Sequence, residues 1–114
     1  MHVLFIVLNA VEYLDDILSG FVEVGVSGAT ILDSQGMGST IVNSQIKSIP
    51  LFSALHMMLE DSHPYSKTIF TVLENEEMVE KTVAIVQEVV GDLSNTGVGF
   101  MFTVPIGKTY QMGR

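Results

Sequence analysis

The stretch 68-TIFTVLENEEMVEKTVAIVQEVVG-91 decides the fold. Its second half is rich in valine, and propensity alone would allow a strand there. The spacing argues for a helix. Met78, Val79, Thr82, Val83, Val86, Val89 and Val90 recur at intervals of three and four, which places them on one helical face. Asn75 stands where a helix N-cap belongs, and Glu76 and Glu77 occupy the first turn, where the helix dipole favours acids. Gly91 is the stop. The first half, Thr68 to Leu73, is a short run of β-branched and aromatic residues and predicts a strand. The unit is therefore strand, then helix.

The same unit recurs at the start of the chain. Val3 to Leu8 is continuously apolar and rich in β-branched residues, as a strand covered on both faces would be. Asn9 is expected to cap a helix, with Glu12 three residues on in the capping-box position. Val11, Leu14, Ile17, Leu18, Phe21 and Val22 follow at helical spacing, and Gly25 is the expected stop. Gly28 opens a second strand, ATILDS, which ends at Gly36-Met37-Gly38. After the quoted stretch, Phe100 to Val104 predicts a fourth strand, ended by Pro105. The order is β-α-β, a long excursion over 39–66, then β-α-β. This predicts an α+β, ferredoxin-like βαββαβ fold with an antiparallel four-stranded sheet and two helices on one face. Residues 1–114 read as a single domain. Inside the excursion, 50–60 has the pattern of a short helix begun by Pro50.

Composition narrows the function. The chain has 114 residues, 13 acids against 5 bases and a net charge of −8. Nucleic-acid binders need a positive surface to displace counterions, so that class is excluded, and anionic membrane surfaces are disfavoured for the same reason. No apolar run approaches the roughly 20 residues of a membrane helix, which predicts no membrane insertion. The start lacks a basic segment ahead of its short apolar run and does not read as a signal peptide. With no cysteine, thiolate metal sites and cysteine nucleophiles are out, and a cytoplasmic location is the expectation.

No catalytic constellation stands out, and there is no phosphate-binding G-x-x-x-x-G-K-[ST]. His56 and Glu60 are four apart, half of a metal site or simply an exposed polar pair; His63-Pro64 marks a turn. Asp33 is the carboxylate nearest the glycine turns in sequence, and alone it does not make a hydrolase. The glycine pairs Gly36-Met37-Gly38 and Gly97-Val98-Gly99 remain. Glycine lets backbone approach a ligand closely, and successive N–H groups in such turns can cradle an anion. Alone, each pair reads first as a plain turn; two pairs bordering the strands of one sheet make a stronger pattern, because different subunits could bring them together.

With these residues in place, the sequence resembles the PII family of signalling proteins. The resemblance rests on Val24 to Gly38, VGVSGATILDSQGMG, on Met78-Val79-Glu80-Lys81, and on Gly97 to Ile106, GVGFMFTVPI. It implies a homotrimer that is not an enzyme and holds an adenine nucleotide (ATP, ADP or AMP) or another small anion such as bicarbonate between subunits. Gly28, Thr30, Gly36, Met37, Gly38, Gly97, Val98 and Gly99 would line those clefts. The 39–66 segment, the T-loop of the family, would then report the bound ligand to a transporter or regulatory partner. The sequence departs from the family pattern at the charged positions. The aspartate and lysine of the family's G-D-G-K are Val98 and Phe100, and Gln111 and Gly113 replace its C-terminal arginines. Each charge-assisted hydrogen bond lost to a phosphate costs about 1.5–3 kcal/mol. Two alternatives stay open at this point. One is a CutA-like divalent-metal trimer using His56 and His63, and the other is an interaction scaffold without a ligand.

Overall fold

The computed structural model describes residues 1–37, 65–91 and 97–113. Within these residues, four strands and two helices follow in the expected order: β1 (His2–Leu8), α1 (Leu14–Val24), β2 (Thr30–Ser34), β3 (Ser66–Leu73), α2 (Glu76–Val90) and β4 (Gly99–Pro105). The strands form one sheet in the order β2-β3-β1-β4, and every neighbouring pair is antiparallel. This is the ferredoxin-like arrangement, with the two βα units interleaved. Strand three begins at Ser66, so the excursion gives up its last residue to the sheet. The short helix expected at 50–60 lies outside the described residues.

Alternation along β1 sets the core. Leu4, Ile6 and Leu8 are buried on the helix side, and Ile69 and Leu73 join them from β3. Ile17 and Phe21 of α1 and Val86 of α2 close the core from above. Burying each such side chain contributes about 1.5–3 kcal/mol relative to leaving it in water. The helices cross where Gly20 meets Ile85. A Cβ on Gly20 would stand 2.8 Å from Ile85 Cγ1, so the absence of a side chain sets how closely they pack.

The valine-rich segment is a helix, and Asn75 is its cap: Asn75 Oδ1 accepts from Met78 N–H at 2.9 Å. Gly25 ends α1 in the left-handed conformation, with φ 92°. There Val26 N–H donates to Phe21 C=O and Gly25 N–H to Val22 C=O, which satisfies carbonyls at the helix end. Two expectations for α1 need correction. Asn9 does not cap. A 3-10 turn over Val11–Tyr13 precedes α1, and no side chain caps either element. Val22 does not face the core and is 76% exposed. Once Ile17 and Phe21 point inward, the 100° step per residue carries position 22 to the flank.

Candidate functional site at the glycine turn and the sheet edges

Asn9 does not cap; its backbone and that of Ala10 are instead tied to the Gly97-Val98-Gly99 turn. Val98 C=O accepts from Asn9 N–H at 2.8 Å and from Ala10 N–H at 3.0 Å. A carbonyl with two lone pairs can take both. The turn is thereby fastened to the junction between β1 and α1. Gly97 has φ 89° with open space around the position of a Cβ. Gly99 is different. Its φ is 155°, and a Cβ there would lie 2.3 Å from Val7 C=O and 3.2 Å from Leu8 Cα. Gly99 is thus required by close approach of β4 to β1, a structural demand that the pattern G-x-G does not reveal.

Beside the turn, on the helix side of β4, lies a groove of about 520 Å3. Its floor is Leu4, Ile6 and Leu8, and one wall is the α2 face bearing Val83, Val86, Gln87 and Val90. The outer rim is β4 itself from Gly99 to Thr103. Gln87 and Thr103 are the polar side chains among these, and neither is charged.

The remaining candidate residues sit elsewhere. Gly28 and Thr30 lie at the start of β2; Gly28 C=O accepts from Thr71 Oγ1 at 2.6 Å, and both residues line a shallow hollow against Phe70 and Val72. Gly36 and Met37 follow the end of β2, and Met37 is 80% exposed. Gly38, like His56 and His63, lies outside the described residues. Register shows how far apart the two groups are. Gly99 pairs with Leu8, Leu8 with Lys67, and Lys67 with Asp33. The glycine turn and the β2 residues therefore occupy opposite edges of the sheet. Three strand spacings make that about 14 Å across. Asp33, whose carboxylate forms an ion pair with Lys67, is on the far edge from the turn. Among the described residues, no cluster of three metal-ligating side chains occurs.

Two further features were missed by sequence reasoning. The first is a polar knot where β2 and β3 enter the long segment: Ser34 Oγ and Ser66 Oγ hydrogen-bond at 2.7 Å, and Ser34 Oγ and Thr68 Oγ1 at 2.9 Å. The second is the sheet face away from the helices. Phe70, Phe5, Phe102 and Phe100 form a row of rings there, with successive centroids 5.8, 5.0 and 6.0 Å apart. Leu32, Val72 and Val104 flank the row, and Phe100 is 59% exposed. The signal was present in the sequence, since β1 is apolar at both parities and Phe70, Val72, Phe100, Phe102 and Val104 all fall on the outward parity of their strands. A sheet with helices on one face only should not be apolar on the other.

These features define a ferredoxin-like chain with one apolar sheet face left open and its glycine-lined positions divided between two edges. The comparisons with known proteins agree on the fold. The family description "Nitrogen regulatory protein P-II" matches residues 1–113, and the chain belongs to that family of signalling proteins. Among solved structures it is similar to Arabidopsis thaliana PII bound to citrate. The identity is 15%, the match covers 92% of this chain and 76% of that one, and the TM-score is 0.61. At that identity the likeness speaks for the fold. A search of curated proteins finds no sequence match. No helix among the described residues is long and apolar enough to cross a membrane.

Proposed function

We propose that this chain is a non-enzymatic regulatory protein of the cytoplasm that works as a homotrimer. It takes up a small effector where the β4 edge of one subunit meets the β2 edge of the next. The carrying observation is membership of the P-II family over 1–113, and the geometry supports it in two ways. Gly28 and Thr30 cannot reach Gly97, Val98 and Gly99 within one chain, so a shared cleft needs a second copy. The open row of phenylalanines is the kind of patch that monomeric proteins seldom leave in water.

Binding at such a cleft would favour one arrangement of the segment that begins after Met37 and returns at Tyr65, and a transporter or regulator would read it. The effector is of low charge. Val98 and Phe100 offer no cation beside the turn, and Lys67 is already paired with Asp33. An adenine nucleotide with few phosphates, or a smaller anion such as bicarbonate, fits better than a triphosphate.

Sedimentation velocity and calorimetric titration with AMP, ADP, ATP and bicarbonate test this together. The expected result is a trimer that binds AMP or bicarbonate more tightly than ATP. A monomer, or a trimer silent to the whole panel at millimolar concentration, would overturn the reading.

A further inference from the structure

We infer that the groove between α2 and β4 is itself a binding site for an uncharged, largely apolar small molecule. It goes beyond the effector cleft proposed above: the two share Val98, Gly99 and the β4 edge, but the groove continues along the α2 face on the helix side of the sheet. Its volume of about 520 Å3 falls inside the range of roughly 300–1,000 Å3 typical of small-molecule sites. Its floor is the core itself: Leu4, Ile6 and Leu8 are each no more than 2% exposed, so an occupant rests mainly on the α2 and β4 walls. Two neutral polar groups, the Gln87 amide and the Thr103 hydroxyl, stand at the rim where they can orient a ligand by single hydrogen bonds.

Charge excludes the alternative occupants. From Thr82 to Gly107 the sequence contains no lysine, arginine or histidine, yet it contains Glu88 and Asp92. The whole wall and rim of the groove come from that span, apart from the β1 floor. An anion placed there would meet no cation among the described lining residues, and it would approach a chain of net charge −8. A cation would have to leave water for an apolar floor with no carboxylate among the lining residues. A neutral aromatic or aliphatic body with one donor or acceptor meets none of these penalties. The rim includes Val98 and Gly99, so an occupant touches the turn that is tied to the junction between β1 and α1.

The test uses two fluorescent probes with the same ring skeleton, titrated into the full chain. N-phenyl-1-naphthylamine is neutral; 8-anilinonaphthalene-1-sulfonate adds one negative charge. The neutral probe should show saturable enhancement and bind at least tenfold more tightly than the sulfonate. Gln87→Trp and Thr103→Trp each fill the groove from an exposed position and should each weaken the neutral probe at least tenfold, with circular dichroism unchanged. Val72→Ser, on the open sheet face, should leave it unaltered. Absence of saturable binding, equal affinity for the sulfonate, or loss with Val72→Ser but not with the groove variants would each overturn the inference. Sedimentation of the same samples separates this outcome from the effector reading. A trimer without probe binding removes only the groove site, and a monomer that binds the probe removes only the shared cleft.

Discussion

Replacing Gly99 with alanine puts the account of the turn at risk most directly. The new Cβ would lie 2.3 Å from Val7 C=O, which is backbone and cannot rotate away. Separating β4 from β1 enough to admit it is an overpacking cost of about 1–3 kcal/mol. Alanine must also hold φ 155°, a conformation sparsely populated by residues with a side chain, at about 1–3 kcal/mol. Moving the turn then loosens the two hydrogen bonds that Asn9 and Ala10 give to Val98, worth about 1 kcal/mol each. These terms overlap, since relieving one worsens another, and a net loss of about 3–5 kcal/mol is expected. That is a large part of the 5–15 kcal/mol holding a typical domain. Urea unfolding at fixed protomer concentration is the assay, because assembly would otherwise make the midpoint drift. With slopes of about 1–3 kcal/mol/M, the midpoint should fall by at least about 1 M. Gly97→Ala is the internal comparison. It meets nothing within 4 Å and carries only its left-handed φ of 89°, so it should cost about 1–2 kcal/mol. If Gly99→Ala proved the milder of the two, or cost under about 1 kcal/mol, the close approach of β4 to β1 would not be what requires glycine there.

Asn75→Ala should cost about 1 kcal/mol by thermal unfolding, through loss of the Oδ1 acceptor for Met78 N–H; an unchanged midpoint would refute the cap. Gly20→Leu should destabilise by at least about 1–3 kcal/mol by forcing α1 away from Ile85, and restoring space with Ile85→Ala should recover part of that in a double-mutant cycle. Thr82 is fully buried, and its hydroxyl donates to Met78 C=O, which remains inside the helix ladder without it. Thr82→Val is therefore expected to change stability by less than about 1 kcal/mol in chemical denaturation, and a larger loss would show that the hydroxyl does more than back-bond. Phe102→Glu places a charge in the middle of the ring row and should shift the sedimenting species toward monomer while far-ultraviolet circular dichroism stays constant. A trimer that survives this substitution would mean that the open face is not the assembly surface.

Much of the fold was legible because its signals are local. Asn75, Gly25 and Gly91 punctuate the helices by backbone chemistry that needs no distant partner, and the spacing of Met78 to Val90 outweighed valine's preference for strands. The misreadings share a cause. Asn9 has the right residue type for a cap, yet its neighbourhood belongs to Val98, nearly ninety positions further on, and only the pairing of β1 with β4 brings that carbonyl there. Val22 continues a helical spacing that the geometry of two inward residues had already completed. At the candidate site, the sequence marks the glycines but not the reasons for them. A G-x-G pattern looks the same whether its second glycine is kept for a ligand or for the carbonyl of Val7. The opposite placement of Gly28 and Gly99 is a property of strand order, which no single stretch of sequence carries.

That strand order has a consequence for mixed assemblies. If each cleft joins the β4 edge of one subunit to the β2 edge of another, damage to either edge removes every cleft in a uniform trimer. Two differently damaged chains would behave otherwise when combined. A chain altered only at Gly97 keeps a sound β2 edge, and a chain altered only at Thr30 keeps a sound β4 edge. Where the second chain's β4 meets the first chain's β2, an undamaged cleft re-forms. Two inactive proteins co-expressed in one cell would then restore part of the activity that neither has alone, with at most one working cleft in each trimer of three.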